Sequence, residues 1–304
     1  GSKMKGSRSV VTGGAGFIGS NLVDHLVRIG HKVIVLDNFV SGKKANLAHH
    51  KKKDVKIIRA DISKSKNLDK YFKRADYVFH LAGLAEIIPS IKNPKKYFNT
   101  NVLGTLKVVE AAKREGVKKL IYAASSSCYG SPKNFPTSEK EKIDIKHPYG
   151  LTKFLGEQLV LKYATNFNMP NISFRFFNVY GPRLNMSGQY SAVFGNFLKQ
   201  RRTNKPLTIV GDGKQTRDFI HVDDLTNAFI KVAKSNLVNK IYNLGSGKET
   251  SINKIANLFG GKKIFIPKRP REPKRSLANI SKIKKDINWN PKITIQEGVK
   301  RLLN

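Results

Sequence analysis

The chain has 304 residues, and 57 lysines and arginines against 21 aspartates and glutamates give it a net charge of +36. That length suits one large or two medium domains that need no covalent staples, and the single cysteine, Cys128, excludes a disulfide framework and a cysteine zinc site and suits a reducing compartment. No apolar run approaches the roughly 18 residues of a membrane span, and the lysines are spread along the chain rather than gathered with arginines and aromatics, so the charge reads as that of a lysine-rich proteome rather than of a nucleic-acid binder, though it should still attract anionic ligands.

The first residues, Gly1-Ser2-Lys3 before Met4, lack an apolar core and read as a tag remnant, so no signal peptide is expected and a cytoplasmic location is. The β-branched run Val10-Val11-Thr12 leads into Gly13-Gly14-Ala15-Gly16-Phe17-Ile18-Gly19, and an apolar-periodic segment follows to residue 29. This is strand, glycine turn, helix. Glycines there allow a tight turn, let a pyrophosphate approach the backbone, and let helix and strand pack closely, with the helix N-terminus facing the anion. A second strand over 33–37 ends at Asp37, where an acid suits the ribose hydroxyls of NAD and repels the 2′-phosphate of NADP.

Further strands are expected over 55–59, 77–81, 120–124 and 172–176, with helices over 94–115 and 148–167 among them. Such alternation predicts an α/β fold, a doubly wound parallel sheet with helices on both faces and ligands at the carboxyl ends of the strands. Past Asn178 the rhythm changes. Turns cluster at Tyr180-Gly181-Pro182 and Gly211-Asp212-Gly213, helices are expected over 192–200 and 222–233, and prolines at 267, 270, 273 and 291 mark loops. The expected domains are 4–178 and a smaller, partly interleaved C-terminal lobe, 179–304.

Tyr149 and Lys153 follow His147-Pro148, and proline suits the first turn of a helix. Their i, i+4 spacing puts both on one helix face, where an ammonium and a helix N-terminus favour the phenolate of a tyrosine that would otherwise titrate near 10. Tyr129 and Lys133 share the spacing, but Gly130 and Pro132 interrupt that segment. Ser125-Ser126-Ser127, at the carboxyl end of the strand over 120–124, offers Tyr149 a hydroxyl partner.

Together these motifs resemble the extended short-chain dehydrogenases/reductases of the NAD-dependent nucleotide-sugar epimerase/dehydratase family, and most of all its UDP-glucose and UDP-N-acetylglucosamine 4-epimerases. The resemblance spans residues 8–303. It is carried by Thr12-Gly13-Gly14-Ala15-Gly16-Phe17-Ile18-Gly19-Ser20, Leu36-Asp37-Asn38, Ala60-Asp61-Ile62, His80-Leu81-Ala82-Gly83, Ala124-Ser125-Ser126-Ser127-Cys128-Tyr129-Gly130, Tyr149-Gly150-Leu151-Thr152-Lys153, Arg175-Phe176-Phe177-Asn178-Val179-Tyr180-Gly181-Pro182-Arg183 and Arg217-Asp218-Phe219-Ile220-His221-Val222-Asp223-Asp224. The resemblance implies a Rossmann-type sheet with a substrate-binding lobe. By that resemblance Gly13, Gly16, Phe17, Ile18, Asp37, Asn38, Ser41, Asp61, Ile62, Leu81, Ala82, Gly83, Ala123 and Phe176 would line the NAD site, with Tyr149 and Lys153. Ser125 and Tyr149 would act on the sugar hydroxyl, with Lys153 holding the nicotinamide ribose. Ser126, Asn178, Ala192 and Val193 would contact the sugar and phosphates, and Thr208 and Val210 would lie near the uracil. Arg217 and Arg269 would clamp the diphosphate, since guanidinium binds phosphate bidentately. Glu272 would reach the uridine ribose, and Ser276 would border the sugar 2-substituent. No metal is implied.

The implied reaction is C4 epimerisation of a UDP-sugar through a 4-keto sugar, with NAD reduced and reoxidised in each turnover. Arg271 stands where many relatives have glycine and adds a cation near the phosphates, while Cys128 is one residue out of register with the acid cysteine of 3,5-epimerases and reads as a core residue. Ser126-Ser127 replace the Asp-Glu pair of 4,6-dehydratases, and the glutamate of the family's decarboxylases is also missing. The readings that remain are a hexose or N-acetylhexosamine 4-epimerase, a UDP-glucuronate 4-epimerase, for which the positive charge speaks, and a non-catalytic RNA-binding relative, against which the intact Ser125/Tyr149/Lys153 set speaks. The resemblance also implies a homodimer through a four-helix bundle built from residues 94–115 and 148–167, whose apolar Val102, Leu106, Val109, Phe154, Leu155 and Leu159 fit helices buried on more than one face.

Overall fold

The structure is a computed structural model that describes residues 6–186, 192–270 and 272–304. The tag remnant with Met4, and Arg271, lie outside the described residues. The chain runs β1 (Arg8–Thr12), α1 (Phe17–Arg28), β2 (Lys32–Asp37), β3 (Val55–Arg59), α2 (Asp69–Phe72), β4 (Tyr77–His80), α3 (Ile87–Lys92), α4 (Pro94–Tyr97), α5 (Gly104–Arg114), β5 (Lys119–Ser125), α6 (Pro148–Phe167) and β6 (Asn171–Phe176). It continues with β7 (Asn178–Tyr180), α7 (Val193–Arg202), β8 (Leu207–Val210), β9 (Thr216–Arg217), β10 (Phe219–His221), α8 (Val222–Lys234), β11 (Lys240–Leu244), β12 (Thr250–Ser251), α9 (Ile252–Phe259), β13 (Lys263–Ile266), α10 (Ser281–Ile287) and α11 (Ile295–Leu303). The helix expected over 94–115 comes in pieces, because a wider π-helical turn at Phe98–Leu103 separates α4 from α5.

Seven strands form one sheet in the order β11-β6-β5-β4-β1-β2-β3, with parallel pairing from β3 across to β6. The order reverses between β1 and β4, and a crevice opens outside the carboxyl ends of the strands at such a point. Strands covered on both faces read as continuous apolar runs, and β5 is buried from Lys119 to Ala124. Val10, Val78, Leu120, Phe72 and Val109 meet in the core on one side of the sheet. Helix α1 buries Leu22, Val23 and Leu26, each worth about 1.5–3 kcal/mol. It ends where Gly30 turns to φ +94° and donates to the Val27 carbonyl, an αL stop that glycine takes without strain.

Contacts divide the chain into two compact units. The first comprises Gly1–Gly130, Ile143–Phe176 and Thr226–Tyr242, and the second Ser131–Lys142, Phe177–Leu225 and Asn243–Asn304. In the first, the return segment brings Phe229 against Phe79, Phe174 and Phe176 and supplies the edge strand β11. The second is built on short pairs, β7 with β10 and β8 with β13 parallel, and β9 with β12 antiparallel. Its core gathers Tyr180, Phe194, Phe197, Leu207, Ile209 and Phe259. Among the described residues, no helix is long and apolar enough to cross a membrane.

Candidate active site

The glycine turn is shaped for an anion. Gly13 sits at φ +71°, and a Cβ there would fall 2.8 Å from the backbone nitrogen of Ala82, so no side chain fits. A Cβ on Gly19 would fall 2.1 Å from the Gly13 carbonyl oxygen, which brings α1 hard against the turn. Gly16 differs. A methyl there would meet only the Gly13 carbonyl, at 3.4 Å, so its Cα otherwise faces open space at the N-terminus of α1. Phe17 and Ile18 follow, both partly buried. Those observations fit a pyrophosphate at a helix N-terminus.

Asp37 ends β2 and is almost wholly buried. Its Oδ2 accepts from the Ala15 amide at 3.0 Å and its Oδ1 from the Phe39 amide at 2.8 Å. A carboxylate offers about four acceptor sites, so two remain for ribose hydroxyls. Asn38 and Ser41 lie exposed in the loop beyond, where the Asn38 side chain accepts from Val40. Past β3, Asp61 accepts from the Ser63 amide and hydroxyl; burial pushes its carboxyl up, but those two bonds with Lys64 and Lys107 outweigh this and hold it below the ordinary range. Ile62 is buried against Gly104.

At the end of β4 a buried chain of polar groups holds Leu81 and Ala82. Thr12 Oγ1 accepts from both of their amides at 3.0 Å, so it donates its own proton to His80 Nδ1 at 2.6 Å. His80 Nε2–H then donates to Thr105 Oγ1 at 2.9 Å. Burial, reinforced by the nearby Lys153 charge, pushes the His80 pKa down to about 3, which keeps that tautomer neutral. Gly83 follows, and a Cβ on it would lie 3.0 Å from Asn101 Oδ1 and 3.7 Å from Lys153 Nζ.

The catalytic candidates meet above this floor. Ser125 ends β5 and its Oγ accepts the Ser127 amide at 3.1 Å, starting the 3₁₀ turn Ser126–Tyr129. Ala123, on the same strand, is buried, while Phe176 at the end of β6 is partly so. His147 caps α6 by accepting the Gly150 amide on Nδ1, Pro148 occupies the first turn, and the Tyr149 amide donates to Ser90 Oγ at 3.0 Å. The Tyr149 ring stacks on His147 at 5.8 Å, and its hydroxyl bonds the Ser125 side chain. Lys153 is buried, with Nζ 4.7 Å from the centre of the Tyr122 ring.

The electrostatics differ from the sequence expectation. Burial raises the Tyr149 pKa above 10, and the bond from Ser125 opposes that without reversing it. Burial also takes Lys153 down to about 8, with Glu157 pulling the other way. Two N–H groups of the first turn are already taken by His147 and Ser90, so the helix end is partly spent on the protein. Desolvation is thus the largest influence on Tyr149 in this state of the site.

The second unit holds the remaining candidates. Arg217 on β9 is half-buried, donates to the Thr216 carbonyl and faces Glu272 at 3.5 Å. Burial lowers its pKa, and Glu272 opposes the shift. Beside it, Asp218 is fully buried and accepts from Ser246 N and Oγ, Gly247 N and Ala278 N, which ties the loop carrying Ser276 to the strand carrying Arg217. Thr208 and Val210 lie on β8, and the Gln200 side chain both accepts from Thr208 N and donates to its hydroxyl. Ala192 starts α7 without a side-chain cap and Val193 is its first residue. Asn178 and Arg269 are exposed, and Ser276 is partly buried.

Residues 9–245 match the model of the NAD dependent epimerase/dehydratase family. The chain belongs to this family. It is an NAD-dependent enzyme of the nucleotide-sugar epimerase group, as the shape of its glycine turn and Asp37 also fit. A UDP-glucose 4-epimerase of Mycolicibacterium smegmatis is 33% identical over 304 residues, 96% of this chain and 96% of that protein. UDP-glucuronic acid decarboxylase 2 of Arabidopsis thaliana is 34% identical over 311 residues, 98% of this chain and 68% of that one. Among solved structures, the UDP-N-acetylglucosamine 4-epimerase from Methanobrevibacter ruminantium M1, in complex with UDP-N-acetylmuramic acid, has a TM-score of 0.92 at 34% identity, covering 98% of this chain and 99% of that chain.

Three supporting residues of this family member are absent from the sequence-based site. Asn101, in the π-helical turn, donates to the Leu84 carbonyl and to Thr152 Oγ1 and accepts the Leu84 amide, so it fixes the segment after Gly83 against α6. Glu157 and Arg175 form a buried bidentate pair at 2.7 and 2.8 Å behind Lys153. An amide in the helical stretch Phe98–Leu103, and a Glu one turn past Lys153, are the signals the sequence offers for them.

Proposed function

We propose that this enzyme epimerises C4 of a UDP-hexose, with UDP-N-acetylglucosamine and UDP-N-acetylgalactosamine as favoured substrates and UDP-glucose and UDP-galactose alongside. Ser125 and Tyr149 bond each other at the end of β5, and this pair carries the reading. Tyr149 takes the proton of the sugar 4-hydroxyl and gives it back, with Ser125 orienting that hydroxyl. Bound NAD supplies the hydride acceptor for sugar C4 and the donor that restores it. Lys153, whose Nζ lies beside Gly83, holds the nicotinamide ribose. Arg217 and Arg269 hold the diphosphate, Glu272 the uridine ribose, and Thr208 and Val210 the uracil. Relatives named for 4-epimerisation and for decarboxylation are about equally similar in sequence, so the preference for epimerisation rests on residue chemistry. Ser126 and Ser127 offer no carboxylate, and the Ser127 hydroxyl is buried with no hydrogen-bond partner among the described residues.

Serine at 276 is small and leaves room for an acetamide, as does Ala192. Incubation with UDP-glucose, UDP-N-acetylglucosamine and UDP-glucuronate separately, followed by NMR of the products, tests this. Ser276→Tyr should remove activity on the N-acetylated pair and spare the plain hexoses, because a packed site has no slack for the acetamide. Wild-type inactivity on N-acetylated sugars refutes the preference. A UDP-glucuronate 4-epimerase is the second reading, favoured by the +36 charge and tested in the same incubation.

The enzyme acts in the cytoplasm as a homodimer in this reading. Phe98, Leu103 and Phe167 are large apolar side chains left exposed along the helical segments that would pair. Sedimentation at micromolar concentration should give two chains per particle, and a monomer refutes it.

A further inference from the structure

Away from the residues discussed so far, three ligating side chains converge. Asp24 lies on α1, and His49 and His50 follow the 3₁₀ turn Lys44–Leu47. Both imidazoles bring Nε2 to the same carboxylate oxygen, Asp24 Oδ1, His49 at 2.7 Å and His50 at 2.6 Å. Their rings lie 4.0 Å apart, and the ligating atoms of all three residues fall within 4.8 Å of one another. The turn that follows Leu47 lets these two adjacent side chains face one acid.

We propose that Asp24, His49 and His50 form a site for a divalent transition-metal ion of the zinc class. The donor set is two imidazole nitrogens and one carboxylate oxygen, which suits zinc and its neighbours and is poor for magnesium or calcium. Bonds of about 2.0–2.1 Å to a tetrahedral ion put ligand atoms roughly 3.3 Å apart, so each imidazole–carboxylate contact needs to open by less than about 1 Å. His49, with 48% of its side chain exposed, has room to make that movement, and its open side leaves a fourth position for water. His50 is only 8% exposed and supplies the fixed ligand. On binding, each imidazole gives up its Nε2–H and coordinates as the neutral ring with its proton on Nδ1. The lysines at 51–53 are exposed, and their long stems let the ammonium groups turn away.

The ion would fasten the loop after β2 to α1. That loop is already joined to the glycine turn, because Lys43 N and Asn46 Nδ2 both donate to the Ala15 carbonyl at 3.0 and 2.8 Å. The site therefore stiffens the wall beside Asp37 without touching the reacting groups.

The test titrates zinc chloride into the full chain at neutral pH by calorimetry and follows the melting temperature in parallel. One ion per chain should bind, with the melting temperature rising as the ion is added. His50→Ala and Asp24→Ala should each weaken binding by at least about tenfold, and the His49→Ala/His50→Ala double variant should abolish it. His25→Ala, a change elsewhere on α1, should leave it intact. Because His49 is exposed, His49→Ala keeps the fold and gives a second reading should the Asp24 variant not fold. Absence of saturable binding up to about 100 µM zinc overturns the proposal. Undiminished binding in the double variant also overturns it, and marks an adventitious ion.

Discussion

Tyr149 and Tyr129 each stand four residues before a lysine, and their surroundings make opposite uses of them. Tyr149 begins an uninterrupted helix capped by His147, and its hydroxyl meets Ser125. Tyr129 ends a 3₁₀ turn that stops at Gly130, where φ is +56° and a Cβ would collide with the Asp144 carbonyl oxygen at 2.0 Å. Its hydroxyl accepts from Arg175 Nη1 at 3.0 Å, deep in the core beside Glu157. One spacing thus marks the proposed reacting pair in one place and a packing element in the other. Spacing acquires meaning only from the element that carries it.

Substitution of the two tyrosines tests that contrast. Tyr149→Phe should fold, keep its NAD and lose about 10²–10⁴-fold in kcat, the range for removal of a general acid–base group. Steady-state kinetics checks this, and a larger loss from Tyr129→Phe would reverse the assignment. Lys153 gives the next largest effect. Its pKa in the folded chain is about 8, below its ordinary 10.5, so the unfolded chain binds more protons between those values and stability rises with pH across that window. Lys153→Met should remove up to about 3 kcal/mol of that rise, read by urea unfolding of the apo protein between pH 8 and 10. A residual rise should persist, since burial lowers Lys119 to about 8 as well.

Tyr129→Phe should leave kcat within about tenfold but cost roughly 1–3 kcal/mol in stability, because a buried Arg175 N–H loses its acceptor. Thermal unfolding beside kinetics separates the two losses. The smallest effect concerns Cys128, one residue before Tyr129. Burial pushes its thiol up to about 12, with Arg175 opposing. The native protein should therefore resist iodoacetamide at pH 8 and react fully in urea, as mass spectrometry would show. Rapid labelling of the native chain would mean that the Tyr129 segment is open rather than packed.

Local pattern was enough for much of this molecule. The glycine turn, the alternation of strand and helix through β6, the acid at the end of β2, and the helix that carries both Tyr149 and Lys153 all follow from residues near one another in the chain. Periodicity and backbone propensity are short-range properties, so they survive in a single sequence. The tertiary structure decided the rest. It returned residues 226–242 to the first unit, where β11 extends the sheet. It brought Asn101 to Leu84 and Thr152, Thr12 to His80, and Asp218 to Ser246 and Ala278. It also reversed the expected shift at Tyr149, since the cost of burying a charge depends on everything packed around the group, and those neighbours come from distant parts of the chain.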